Sequence, residues 1–448
     1  MQSIYLPMEA FTPRLQEKSL GLQACNRPLQ PVAQSLQRCG HPPPVPYAAV
    51  RALVLLALVE LFAMGLWFGV SAVAPQIAAE WHLDPATTAW LTLAVQLGFV
   101  AGTLLSALLN LPDVIRTRHL LAVCALLAAV ANALLAIFVT SAGPAIALRF
   151  ATGVFLAGVY PPGMKLIATW YREGRGLALG VLVGALTLGK ASPYLVNAVG
   201  SARWRINAGF ASVMAVVAVV LVVFFVREGP YALPNQPFDI AQIAKGFRNR
   251  GVRLANFGYF GHMWELYAMW TWAPVMIRAS LKASGDPPVF AEAASFLVIG
   301  AGALGCVVAG RVADRIGRPI VASAAMIVSG ACCIAIGFFY GRSPVALLVI
   351  AAIWGFTVVA DSAQFSACVT ELGDPRYVGT ALTIQTCIGF LITTISIRMM
   401  PPLVERIGWQ HAFAALAIGP ILGTIAMMRL KMVTLPVGHG ISKIRIPN

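Results

Sequence analysis

Charge is what this sequence has least of. Only 11% of its 448 residues are Asp, Glu, Lys or Arg, while 59% are hydrophobic and the mean hydropathy is +0.79. A water-soluble domain of this size cannot cover itself with so few polar groups, so the solvent of most of the chain is lipid. Catalytic signatures are missing as well: no HExxH, GxSxG or CxxC occurs, and the chain does not read as an enzyme. Cysteine is sparse, with eight residues at positions 25, 39, 124, 306, 332, 333, 368 and 387. The last six lie in apolar runs without histidine-flanked spacing, which argues against a disulfide framework or a metal site. No cofactor is expected. The first residues, through Pro46, are polar and proline-rich with no apolar core, so they are neither a signal peptide nor a span; they read either as a disordered tail or as a mis-assigned start.

What the sequence does have is apolar runs of about 20 residues, the length that crosses ~30 Å of hydrocarbon. They fall near 51–73, 87–109, 119–139, 144–168, 176–199 and 206–226, then near 254–277, 291–312, 319–340, 344–368, 379–400 and 408–430. Between the two sets lies a polar connector with Pro230, Pro234, Pro237, Lys245, Arg248, Arg250 and Arg253. The expected organisation is a cytoplasmic tail (1–47), a six-helix bundle (48–227), a cytoplasmic linker (228–253), a second six-helix bundle (254–431) and a second tail (432–448). A net charge of +15 would suggest nucleic acid in a soluble protein. Here the basic residues sit between apolar runs, and no nucleic-acid partner is expected. The even-numbered connections carry Arg116, Arg118, Arg172, Arg175, the central cluster, Arg311, Arg315, Arg318 and Arg376, more than the odd ones; the excess of positive charge places both termini and the central loop in the cytoplasm.

The halves resemble each other. Glu60-Leu61-Phe62-Ala63-Met64 with Trp67 matches Glu265-Leu266-Tyr267-Ala268-Met269 with Trp272 at an offset of 205; Asp113 matches Asp314 at 201, and Gly153 matches Gly355 at 202. Near-equal offsets in order indicate a duplicated six-helix unit in parallel orientation, a repeat type that places a solute site between the halves.

The loop between the eighth and ninth runs reads Gly310-Arg311-Val312-Ala313-Asp314-Arg315-Ile316-Gly317-Arg318-Pro319. With this G-x-x-x-D-R-x-G-R signature the chain resembles the major facilitator superfamily. The resemblance implies an all-α fold of twelve transmembrane helices in two pseudo-symmetric bundles, alternately open to either side of the membrane. Physically, Asp314 can accept from arginines and from the positive end of a neighbouring helix, making a conformational latch with Gly310, Arg315, Gly317 and Arg318. The first-half loop keeps Asp113 with Arg116 and Arg118 but loses both glycines. The run Arg149-Phe150-Ala151-Thr152-Gly153 looks like the superfamily's arginine-bearing fourth-helix motif; Arg149 either faces a partner or wet cavity or snorkels to the interface.

Intramembrane charges are unevenly placed: Glu60 in the first run, Arg149 in the fourth, Lys190 in the fifth, His262 and Glu265 in the seventh, Asp361 in the tenth and Arg398 in the eleventh, with none inside the third, sixth, ninth or twelfth. In the superfamily the first group lines the central cavity and the second faces lipid. At ~1.5 Å per residue, Glu60 and Glu265 lie roughly 13 and 16 Å into their helices, near the midplane. Carboxylates there, flanked by aromatics such as Trp67 and Trp272, suit proton carriage, because burial favours the protonated form of a carboxyl group; alternatively each pairs with Arg149 or Lys190 as a packing device. Gly184-Ala185-Leu186-Thr187-Leu188-Gly189-Lys190 mimics a phosphate-binding loop, but Ala191 stands where a magnesium-holding hydroxyl belongs and no soluble strand precedes it. The small residues Gly176, Gly180 and Gly184 instead let helices approach and rock.

The expected function is secondary transport of a small solute by alternating access, as a monomer in a bacterial cytoplasmic (inner) membrane, with a proton gradient as driving force and symport as its form. The excess of cationic cavity candidates favours an organic or inorganic anion. Export of an amphipathic compound stacked on aromatics, and a non-transporting receptor or sensor, are the alternatives.

Overall fold

The computed structural model describes residues 46–171, 174–199, 203–231, 248–287, 290–374 and 378–434. The expected tails and most of the linker, with Arg172, Lys245 and Arg376, lie outside the described residues. Twelve long helices follow in order: α1 (Tyr47–Trp81), α2 (Pro85–Leu108), α3 (Thr117–Phe138), α4 (Ala142–Ala168), α5 (Arg175–Val199), α6 (Trp204–Phe225), α7 (Arg250–Ser284), α8 (Phe290–Ile316), α9 (Arg318–Phe339), α10 (Pro344–Leu372), α11 (Val378–Ile407) and α12 (Trp409–Thr434). All but α7 are long and apolar enough to cross a membrane. α7 has the length but carries Asn256, His262 and Glu265, all buried by neighbouring helices, so its polar groups need not face lipid.

Local chemistry sets the helix ends. Asp84 caps α2 by accepting from the Thr87 amide at 2.8 Å, which holds its carboxyl below the usual carboxylate range, and Pro85 follows at the first helical position. Asn249 caps α7 through the Gly251 and Val252 amides, and Gly285, at φ 81°, ends it. Four spans are broken, α12 by a 3-10 segment at Phe413–Ala417. α1 stops being α-helical at Gly69 and resumes at Ala74 ahead of Pro75; α4 breaks between Leu156 and Tyr160 ahead of Pro161 and Pro162; α10 breaks at Asp361. The α4 and α10 breaks stand at corresponding positions of the two halves.

The repeat is expressed in packing. A side chain added at Gly153 of α4 would run into the Val95 backbone of α2, and one at Gly355 of α10 into the Val298 backbone of α8. The α2–α4 and α8–α10 pairs therefore use equivalent glycines for equivalent close approaches. Between the halves, α5 packs along α8 more extensively than any other pair of helices, and α2 meets α11. Helices α3, α6, α9 and α12 present large apolar side chains outward, among them Val130, Phe224, Ile327 and Leu422. Exposed apolar side chains also occur on α8, α10 and α11, among them Leu304, Val349 and Ile395.

Candidate functional site

The centre of the molecule is aromatic and holds one ammonium group. Trp67 and Phe68 come from α1, Phe99 from α2, Tyr267 and Trp270 from α7, and Phe390 from α11; all are buried. Trp67 lies 5.0 Å from Phe99, 5.7 Å from Tyr267 and 5.5 Å from Phe390, while Phe68 meets Trp270 edge-on at 6.0 Å. Lys190 of α5 enters this group. Its Nζ donates to the Tyr267 hydroxyl at 2.5 Å and stands 4.2, 4.7 and 5.0 Å from the rings of Trp67, Tyr267 and Trp270. Three ring faces and a hydroxyl partly replace lost water around the cation. The lysine makes no ion pair among the described residues; Glu60 is the acidic group in its electrostatic neighbourhood. Since α5 is continuous helix through Gly184–Lys190, the phosphate-loop likeness has no loop behind it.

The other intramembrane cations are occupied. Arg149 is wholly buried, with Nε donating to the Leu91 carbonyl at 3.0 Å, Nη1 to that of Leu66 at 2.8 Å and Nη2 to that of Trp67. The reason lies in the break of α1: a helix ending at Gly69 leaves its last carbonyls without intrahelical donors, and the guanidinium supplies them. Arg149 thus fixes the backbone that carries Trp67 rather than presenting its charge to a cavity. Arg398 is exposed and lies over the Trp90 ring at 5.3 Å, linking α11 to α2. Trp272, half-buried, donates to the Ile397 carbonyl at 3.0 Å and ties α7 to α11.

The two repeat-related glutamates have different surroundings. Glu265 accepts from Trp354 Nε1 at 2.5 Å, Ser329 Oγ at 3.0 Å and Cys333 Sγ at 3.1 Å, all within its own bundle. Glu60 is fully buried against Gly163 of α4, and neither of its carboxyl oxygens has a hydrogen-bond partner. A third acid, Asp361, sits at the α10 break and pairs with His262 of α7, Nδ1 to Oδ1 2.8 Å, with the Phe365 ring 5.4 Å from the imidazole. His262 and Glu265 share α7 but point to different partners.

At one end of the bundles lies the signature loop. Gly317 adopts φ 93°, a backbone conformation that side chains rarely take. Arg318 donates to Glu371 at 2.6 Å and to Gln364 at 3.2 Å and lies 3.8 Å from Asp314, holding the loop on α10. Asp314 lies against the first turn of α5, so close to Gly176 that a side chain there would stand 2.5 Å from the carboxylate. Gly310 abuts the Gly176 backbone, Gly180 that of Cys306, and Gly184 that of Ala303. The glycine stripe of one bundle therefore packs on the signature helix of the other. Arg315 is exposed. Asp113 lies in a short helix, Leu111–Val114, where Lys165 donates to the Pro112 carbonyl at 2.9 Å; its side chain is outside the described set.

Sequence reasoning did not single out Phe99, Phe390, Trp354 or Ser329. Trp354 adjoins the repeat glycine Gly355, which was a usable signal; the phenylalanines look like any other membrane-helix aromatic.

A family model described as Major Facilitator Superfamily matches residues 56–397. A search of curated proteins gave no match. Among solved structures the fold is similar to that of the proton:xylose symporter XylE bound to 6-bromo-6-deoxy-D-glucose, with a TM-score of 0.68 and 14% identity over 85% of this chain and 95% of that one.

Proposed function

The chain belongs to the Major Facilitator Superfamily and is a membrane transporter, and from that premise we propose that it carries an organic anion with an apolar or planar body, coupled to protons, at the aromatic centre around Lys190. The observation that carries this reading is the buried Lys190 amine, which makes no ion pair among the described residues, lies 2.5 Å from the Tyr267 hydroxyl and is ringed by Trp67, Tyr267 and Trp270. A buried cation lacking an ion pair is costly, and an entering carboxylate or comparable anion supplies the missing partner. The aromatic walls would then bury the rest of the solute.

Of the cationic candidates, Lys190 is the one that supports the anion reading. Arg149 is spent on backbone carbonyls, Arg398 is stacked on Trp90 and His262 is paired with Asp361. For coupling we favour Glu60 among the acids, since it is buried without hydrogen bonds and within electrostatic reach of Lys190. Solute and proton then act on neighbouring charges. The XylE likeness is one of fold, and the proton named in that protein's title enters here only as consistent with this reading. The cavity acids and the latch fit carriage by alternating access, with both termini cytoplasmic and the bacterial inner membrane as the setting.

The test is uptake by proteoliposomes under an inward proton gradient, offering aromatic and aliphatic carboxylates and then amphipathic cations. Lys190→Ala is expected to lower anion uptake at least ~100-fold, the loss of a desolvated charge pair being worth about 3 kcal/mol or more. Undiminished anion uptake by that variant would end the anion reading. Uptake of the cations alone would transfer support to export of amphipathic compounds.

A further inference from the structure

A groove of about 860 Å³ runs along the outside of the second bundle between α7, α11 and α12, away from the aromatic centre. Its floor is formed where α7 and α12 come close: a side chain at Gly419 would strike Trp264 and the Gly261 backbone. Its walls are apolar and turned outward, with Phe257 48%, Ile395 59% and Leu422 60% exposed. The charged residues lining it are Arg250, Arg253 and Arg429, and among the described residues no acidic one lines it. Arg250 and Arg253 belong to the first turn of α7 and Arg429 to the end of α12. Because these helices run in opposite directions, all three lie at the same end of the groove.

From these observations we propose that the groove binds an anionic phospholipid, with its phosphate at Arg250 and Arg429 and one acyl chain along the α7–α12 seam. Length agrees. Arg250 to Trp264 is 14 residues and Ile418 to Arg429 is 11, so at ~1.5 Å per residue the two walls extend about 21 and 16 Å, the depth of one leaflet. Charge agrees too: guanidinium groups match phosphate oxygens in a forked geometry, and basic pockets between transmembrane helices on the cytoplasmic side hold anionic head groups. A free anion would not need the apolar walls, and a zwitterionic lipid brings no net negative charge to Arg250 and Arg429. The groove lies on α7 and α11, the helices that also carry Tyr267, Trp270 and Phe390, so an occupant bears on the outer faces of helices that build the centre.

The experiment is native mass spectrometry of the purified full-length protein after exchange into micelles holding equal palmitoyl-oleoyl phosphatidylglycerol and phosphatidylcholine. Wild type is expected to retain one phosphatidylglycerol and at least ten-fold less phosphatidylcholine. Arg250→Gln with Arg429→Gln is expected to lower phosphatidylglycerol retention at least ten-fold, each arginine near a membrane surface contributing roughly five-fold. Both positions are exposed, and the paired lysine substitutions, which keep the charge, should restore most of the retention and so separate charge from folding. Leu422→Trp, which fills the groove and leaves the arginines, should lower retention as well. Equal retention of the two lipids by wild type, unchanged retention in the arginine variant, or displacement of phosphatidylglycerol by millimolar inorganic phosphate would each overturn the proposal.

Discussion

At the scale of single residues, the informative contrast is between two glutamates that the internal repeat makes equivalent. Glu265 is held by three donors from α9 and α10, whereas Glu60 has none. Removing the first breaks a satisfied network; removing the charge of the second breaks no hydrogen bond. Glu265→Ala leaves the Trp354 indole N–H buried without its acceptor, at a cost of about 1–3 kcal/mol, and should lower the melting temperature in detergent by several degrees. Glu60→Gln should leave the melting temperature essentially where it was, yet abolish proton-driven uptake while solute exchange continues. Loss of folding in Glu60→Gln, or full proton-driven uptake, would remove Glu60 from the coupling role. Arg149 teaches the complementary lesson: a buried arginine in a span needs donors' targets, and here the broken end of α1 provides them.

At the scale of elements, the α5–α8 contact joins the halves through backbone rather than long side chains. Gly176, Gly180 and Gly184 bring α5 against Gly310, Cys306 and Ala303, and Asp314 closes one end of that seam. A seam of small residues lets two rigid bundles pivot without repacking bulky groups. Cys306, 3% exposed within the seam, reports its opening. In a background where Cys306 is the only cysteine, Arg318→Gln should raise its labelling rate by a small maleimide about five-fold, the loop's surface ion pairs being worth on the order of 1 kcal/mol. Gly180→Leu should suppress uptake with normal insertion, because the added side chain would meet the Cys306 carbonyl. Labelling that is indifferent to Arg318 would mean that the loop does not control the seam.

At the scale of the whole molecule, the described residues hold twelve long helices, and the proposed topology sets the arginine-rich connections, and with an even number of spans both termini, in the cytoplasm. Tags at both termini should therefore resist protease in intact cells and be cleaved in inverted vesicles; protection of one and cleavage of the other in the same preparation would contradict an even number of spans.

The sequence by itself determined the order of the apolar spans, the repeated motifs, the signature loop and which spans carry charged residues. These are properties of local composition: a run must be apolar to lie in lipid, and a charge inside one must face protein, so both can be read along a single helix. It also marked Glu60, Arg149, Lys190, Glu265 and Asp361 as residues of interest. Only the tertiary structure decided what each one meets. A 3.6-residue period says which face of a helix a side chain occupies but not what lies across from it, and the break in α1 that gives Arg149 two of its three carbonyls, the rings from α1 and α7 that surround Lys190, and the donors that distinguish Glu265 from Glu60 all arrive from other helices.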